Sequence, residues 1–137
     1  ICGGEQGNSL ELTEFVLGCD KYKVKFQHLK IPEGKPTIKA IRASYVAPAI
    51  QGNWQVENEY IPCRMFKNIS YGRIPATNNL VVAKLFSDQI PFVKNCEDIC
   101  EVNWNQERKL NNIKDLQEQV RQNHTYINRI NSIMEVL

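Results

Sequence analysis

No stretch of about eighteen apolar residues occurs in this 137-residue sequence, so we expect no segment that crosses a lipid bilayer. Strong charge of either sign is also absent, because the formal net charge is +2 and the isoelectric point is about 8.3. So small a charge gives no reason to expect binding to nucleic acid or to an anionic membrane. The sequence starts at Ile1 without a methionine or a cleavable signal pattern. We therefore expect a processed chain or a fragment, folded as one domain or as one small domain with an appendage.

Familiar catalytic motifs are absent as well. The sequence has no Gly-x-Ser-x-Gly nucleophile turn, no His-Glu-x-x-His zinc motif, no phosphate-binding loop and no dinucleotide fingerprint. Its two histidines are His28 and His124, and the pair Cys96-x3-Cys100 has no second cysteine pair to complete a zinc site. We therefore expect no enzyme activity, no metal and no cofactor. A cysteine nucleophile assisted by a histidine stays open, but no spacing favours it.

Cysteine, by contrast, is abundant. Five residues are candidates for disulfide bonds: Cys2, Cys19, Cys63, Cys96 and Cys100. This density in a small chain is typical of an oxidising compartment, where disulfides supplement a limited hydrophobic core, so we expect an extracellular or cell-surface protein. The odd number leaves at least one cysteine for a partner chain, for a missing part of the same chain, or as a thiol. The alternative is a cytosolic protein with buried thiols.

Residues 1–95 show the signals of strands and turns, and we predict that they form a β-rich head. Apolar and polar side chains alternate from Tyr22 to Phe26 and again from Trp54 to Tyr60, which is the period of a half-buried strand. The apolar run from Leu80 to Phe86 is typical of a fully buried strand. Residues 37–47 fit a helix by spacing and a strand by composition. The predicted head is a small, disulfide-bonded antiparallel sandwich or barrel.

Residues 104–137 contain no glycine or proline and follow a different period. Asn103 can cap a helix here, after a cysteine-containing junction over residues 96–103. Apolar residues recur every three or four positions, which predicts a long amphipathic helix that forms a coiled coil. The predicted seam is Ile113, Leu116, Val120, Asn123, Ile127, Ile130, Met134 and Leu137. Tyr126 and Ile133 widen the stripe, which favours a homotrimer over a dimer; the alternative is a helix packed on its own head.

Two acceptor sequons for N-linked glycans occur, at Asn68-Ile69-Ser70 and at Asn123-His124-Thr125. We expect a glycan on Asn68, which lies close to a predicted loop. A glycan on Asn123 is doubtful, because this residue occupies a seam position and a sugar there would force the helices of a coiled coil apart. A single buried asparagine in a seam instead sets the register and the number of chains.

The side chains best suited to recognition are Trp54, Tyr60, Tyr71 and Arg73, since aromatic residues and arginine dominate binding surfaces. Trp54 and Tyr60 can equally be core residues, whereas we expect Tyr71 and Arg73 to be exposed. We therefore predict a non-catalytic, oligomeric recognition or adhesion module that binds a carbohydrate or a protein surface. The alternatives are a fragment of an envelope or surface-spike glycoprotein, with the helix as assembly or fusion machinery, and a small secreted enzyme or inhibitor whose helix docks on its own sheet.

Overall fold

A computed structural model describes residues 10–27, 34–101 and 106–136, and within these ranges the chain is all-α. Its helices are α1 (Leu10–Lys21), α2 (Lys35–Ala43), α3 (Asn53–Glu57), α4 (Cys63–Ser70), α5 (Leu80–Leu85), α6 (Cys96–Glu101), α7 (Gln106–Asn123) and α8 (Tyr126–Met134). No β-strand is present in the described ranges. The predicted β-rich head, with its antiparallel sandwich or barrel, is therefore wrong.

Helix caps explain why the apolar run at residues 80–86 is not a strand. The Asn79 side chain accepts a hydrogen bond from the Val81 N–H at 3.0 Å, which satisfies one of the donors left open at the start of α5. A short apolar run has no period that separates a buried strand from a buried helix. Here the cap at Asn79 favours the helix over the strand. Residues 37–47, which fitted both structures, contain most of α2, and Pro36 lies in the first turn of that helix, where proline is tolerated.

The alternating stretch from Trp54 to Tyr60 is a helix of five residues followed by a turn. α3 starts after Gly52 and ends at Glu57, and the N–H of its C-cap residue Asn58 donates to the Trp54 carbonyl at 3.1 Å. The seven residues that alternate between apolar and polar side chains therefore include both a helix and a turn, and no strand. The other alternating stretch, Tyr22 to Phe26, follows α1 as irregular chain and pairs with no strand in the described residues.

Three short extended segments lie side by side in parallel. Isolated bridges join them, one between Ala49 and Thr77 and one between Thr77 and Phe92. The Ala49 N–H donates to the Ala76 carbonyl at 2.7 Å, and the Val93 N–H donates to the Thr77 carbonyl at 2.8 Å. Helices α3 and α4 connect the first segment to the second, and α5 connects the second to the third. The connections thus follow the order of a parallel sheet, although the pairing is too short to form strands.

Amide side chains add the hydrogen bonds that these short segments lack. The Gln51 N–H donates to Asn78 Oδ1, and Asn78 Nδ2 donates to the Gln51 carbonyl, each at 2.8 Å. The Tyr60 carbonyl accepts from Gln51 Nε2 at 2.8 Å and from Asn79 Nδ2 at 3.2 Å. Gln51 and Asn79 are fully buried. This network ties the ends of the first two segments to the chain that follows α3.

The hydrophobic core has two parts, and the extended segments contribute to both. The larger part lies among α4, α5 and α7, and its largest members include Met65, Ile69, Phe86 and Leu116. The smaller part joins α1 to α6 through Phe15, Cys19 and Cys96. A Cβ atom at Gly18 would lie 3.0 Å from the Cβ atom of Cys96. Glycine at this position therefore allows the close approach of α1 to α6.

The first half of the predicted coiled-coil seam belongs to the core of the single chain. α7 packs against α4 and buries three seam residues, Ile113, Leu116 and Val120. The chain covers these side chains itself, so they are not available to a helix of another copy. An amphipathic helix on its own body has the same three-to-four spacing as a coiled coil, which is why the pattern alone did not separate the two.

The second half of the seam lies on a separate helix. α7 ends at Asn123, which is exposed, and the chain turns before α8 begins. The continuous helix and coiled coil predicted over residues 104–137 are therefore wrong. The predicted cap Asn103 and the last seam residue, Leu137, lie outside the described residues.

The divided seam predicts unequal effects for two equivalent truncations. Leu116→Ala removes a fully buried side chain and leaves a cavity, so we expect the free energy of unfolding to fall by about 2–5 kcal/mol. Ile130→Ala trims an exposed side chain, and we expect a change within about 0.5 kcal/mol. Urea unfolding at low protein concentration, where association is negligible, measures both. Equal losses at the two positions would contradict the division of the seam.

Candidate functional site: the exposed face of helix α8

The chain turns between α7 and α8 at a cluster of rings. The His124 ring packs on Phe66 and Phe86, with ring centroids 5.3 and 5.6 Å apart. Arg129, on α8, places its guanidinium carbon 5.5 Å from the centroid of the Phe66 ring, in range of a cation–π interaction. Phe86 belongs to the larger core. The cluster therefore attaches the start of α8 to the body of the protein.

A capping box begins α8. Thr125 Oγ1 accepts from the Asn128 N–H at 3.2 Å, and Asn128 Oδ1 accepts from the Thr125 N–H at 2.9 Å. Asn128 Nδ2 also donates to the Gln122 carbonyl of α7 at 2.6 Å. A threonine followed three residues later by an asparagine is thus what interrupts the predicted heptads. This spacing is the signal in the sequence that could have predicted the break.

α8 presents its apolar side to solvent. At about 100° per residue, its apolar residues fall within a stripe about 120° wide. The stripe, called the α8 face below, consists of Tyr126, Ile127, Ile130, Ile133 and Met134, each between 58% and 78% exposed. Asn128, on the polar side, is half-buried, and the other residues of this helix are exposed. Soluble proteins seldom leave an apolar surface of this kind uncovered, so the α8 face is the candidate functional site.

The four predicted recognition residues lie elsewhere, and the expected exposure of Tyr71 and Arg73 is wrong, whereas Trp54 and Tyr60, for which core and surface positions were both open, are at the surface. Trp54, on α3, is 69% exposed, and Tyr60 is also exposed. Tyr71 and Arg73 are half-buried. Arg73 donates to the backbone carbonyls of Gly72 and Arg42, so its guanidinium is used within the chain. Of the four, the exposed aromatic residues are better placed for contact with a ligand.

The accessibility of the two sequons is also the opposite of what the sequence predicted. Asn68 is buried on α4, and its Nδ2, the atom to which an N-linked glycan is attached, donates to the Ala47 carbonyl at 2.9 Å. The folded chain therefore does not present Asn68 for glycosylation. Asn123 is exposed at the end of α7, so its sequon is accessible, although the predicted seam would have buried it.

Among the described residues, four of the five predicted disulfide candidates are present and none is in a disulfide. Cys19 on α1 and Cys96 on α6 are buried together in the smaller core, whereas Cys63 and Cys100 are exposed. Burial raises the pKa of the Cys19 thiol to about 12, with a further contribution from its hydrogen bond with Cys96. Cys2 lies outside the described residues.

The histidine at the turn predicts how stability depends on pH. Burial between the two phenyl rings lowers the pKa of His124 from 6.5, and the positive charge of Arg129 lowers it further. The unfolded chain therefore takes up the proton first as the pH falls. The neutral form of His124 therefore contributes fully to the stability of the fold above about pH 6.5. This contribution is lost as the pH falls towards the lowered pKa of the folded state.

We expect the free energy of unfolding to decrease more steeply for the native chain than for His124→Phe between about pH 7.5 and pH 5.5. The variant keeps a ring in the cluster and removes the titrating group, so both proteins share the contribution of every carboxylate. Urea unfolding at a series of pH values measures the difference. Parallel pH profiles would show that the environment of His124 does not penalise its protonation.

The cysteines predict a pattern of alkylation. The thiolate is the form that reacts, so the raised pKa and burial of Cys19 make it unreactive at about pH 8. In the native chain we expect iodoacetamide to modify Cys63 and Cys100 and to leave Cys19 and Cys96 unmodified until denaturant is added. Peptide mass mapping reports each site separately, with the two exposed cysteines as internal controls. Labelling of Cys19 at the rate of Cys100 would contradict its place in the core.

The α8 face can make apolar contacts, and it contains no charged side chain. Among the described residues, no group of three or more His, Cys, Asp or Glu side chains could hold a metal ion. In that same part of the chain, no helix combines the length and the hydropathy needed to cross a membrane. Comparison of the chain with models of protein families, with curated proteins and with solved structures finds no match.

Proposed function

We propose that this chain is a non-catalytic module that self-associates through the α8 face. The observation that supports this proposal is a stripe of five apolar side chains, each more than half exposed, on one helix. Full burial of an isoleucine side chain contributes about 1.5–3 kcal/mol, and the stripe contains three of them. Covering the stripe is therefore worth several kcal/mol before the cost of association is subtracted.

The charge distribution favours a second copy of the same chain as the partner. No charged residue lies within the stripe, and the two charged residues of α8 and its C-cap, Arg129 and Glu135, have opposite charges. Two copies therefore bring their α8 faces together without repulsion between like net charges. In a closed ring of copies, one side of the stripe contacts the other side of the same stripe in the next copy, so no separate second surface is needed.

The length of α8 supports the same conclusion. It has nine residues, whereas isolated helices shorter than about 12–15 residues are marginal in water. Thr125, Asn128 and Arg129 attach the first turn of α8 to the body, whereas Ile130, Ile133 and Met134 are more than half exposed. Apolar contact along the rest of the helix would supply the stability that the body does not provide.

We propose three copies in preference to two, because Tyr126 and Ile133 widen the stripe beyond a two-helix seam. Helices this short bury less than the roughly 1,200 Å² typical of stable complexes, so the expected association is weak, with a dissociation constant of about micromolar or higher. Several copies would present Trp54 and Tyr60 together. A weak contact of these exposed aromatics with a protein or carbohydrate surface would gain affinity by avidity.

An extracellular or surface location remains part of the proposal. The exposure of the Asn123 sequon supports it, whereas the four described cysteines, none of which is in a disulfide, do not. An assembly helix in an envelope or surface-spike protein would use the same α8 face, so that alternative is compatible with the proposed contact. A glycan found on Asn123 in material from an organism would support the location.

Ile130→Asp places a charge in the middle of the stripe, and Ser132→Asp places the same charge on the opposite side of α8. We expect the native chain and Ser132→Asp to rise with concentration from the 15.8 kDa monomer towards a multiple of that mass, and Ile130→Asp to stay monomeric. Light scattering after size exclusion measures the masses. A native chain that stays monomeric at high concentration, or equal behaviour of the two variants, would reject the proposal.

A further inference from the structure

A cavity of about 440 Å³ lies between α1, the chain that follows it, α2 and residues 44–48. Its base is apolar, because Phe15, Cys19 and Ile41 are buried there. The rings of Phe15 and Phe26 meet edge to face on its wall, with centroids 5.7 Å apart. Pockets that hold small molecules have volumes of about 300–1,000 Å³. This volume lies in the lower part of that range and favours a ligand with a single apolar chain.

Charge at the mouth of the cavity indicates the polar group of the ligand. Lys25 is exposed, and it is the one charged side chain among the described residues that line the wall. The elements around the cavity, residues 10–27, 34–48 and 96–101, contain six basic and six acidic residues, so the preference for an anion rests on Lys25 itself. A lysine ammonium group binds a carboxylate through charge-assisted hydrogen bonds.

Two further polar groups on the wall, those of Cys19 and Ser44, do not compete with an apolar chain. Burial raises the pKa of Cys19 to about 12, so its thiol is neutral at physiological pH and acts as a small apolar group. The Ser44 hydroxyl donates to the Ile41 carbonyl at 2.7 Å, so its donor is already used. Apolar side chains at the base and one cation at the mouth together match a molecule with an apolar tail and an anionic head.

From this shape and charge, we propose that the cavity binds a single-chain aliphatic carboxylate. The tail lies against Phe15, Phe26 and Ile41, and the carboxylate contacts Lys25 at the mouth. The site involves α1, α2 and α6 and shares no residue with the α8 face. Its test is therefore independent of self-association.

Three ligands with the same ten-carbon chain test the proposal: decanoate, decanol and decylamine, each below the concentration at which it forms micelles. Titration followed by amide chemical shifts reports both affinity and location. We expect decanoate to bind at least tenfold more tightly than decylamine, with decanol between them. The largest shifts should fall on Phe26, Ile41 and Val46. Shifts confined to α8, or no decanoate binding at millimolar concentration, would overturn the proposal.

Lys25→Glu and Lys23→Glu form a matched pair for the contact at the mouth. Both residues are exposed and both substitutions change the net charge equally, but Lys23 does not line the cavity. We expect Lys25→Glu to weaken decanoate binding about tenfold and to strengthen decylamine binding, while Lys23→Glu changes each less than threefold. Equal effects of the two variants would show that Lys25 makes no direct contact with the carboxylate.

Ala40→Phe tests the cavity itself, because it places a ring on the α2 wall without changing charge. We expect all three ligands to bind at least tenfold more weakly to this variant. Its amide spectrum away from the cavity shows whether the fold is kept. Native affinity in a folded Ala40→Phe chain would place the ligand outside the cavity and overturn the proposal.

Discussion

The parallel alignment of three extended segments is the constraint on which the rest of the fold depends. Isolated bridges give little backbone pairing, so buried amides complete it. Gln51 and Asn79 donate to the Tyr60 carbonyl, and Asn68 Nδ2 donates to the Ala47 carbonyl. A buried polar group left without a partner costs about 1–3 kcal/mol, which makes the alignment specific. Because Asn68 belongs to α4 and Asn79 caps α5, these side chains position the core helices as well as the segments.

The same amides explain why the first 95 residues could not be predicted from periodicity. Asparagine is usually a residue of turns and surfaces, so Asn68 suggested a glycan rather than a buried donor. Helices of five to nine residues span at most two and a half turns, too few for a 3.6-residue period to differ clearly from alternation. What distinguishes α5 from a strand is one cap at Asn79. That no helix in the described part of the chain could cross a membrane needed no such detail, because it follows from the lack of a long apolar run in the sequence.

The C-terminal repeat did coincide with helix, but spacing identifies which side chains share a face and not what covers that face. Leu116 and Ile130 are equivalent in the repeat, yet the first lies in the core and the second is exposed. The difference arises at the turn after Asn123, where the capping box of Thr125 redirects the chain. A capping box that uses asparagine in place of glutamate is a weak signal in sequence, so the apolar stripe was predicted and its separation from α7 was missed.

Burial and helix formation are coupled in α8, and this coupling relates the fold to the proposed assembly. The capping box and the ring cluster order the first turn, so the costly nucleation step is already complete. Each further turn then adds backbone hydrogen bonds, but its apolar side chains stay more than half exposed and so gain little apolar contact. A second copy that covers Ile130, Ile133 and Met134 adds that contact and lengthens the stable part of the helix at the same time. Association should therefore be cooperative with helix formation, and the ordered first turn fixes where the partner helix meets the chain.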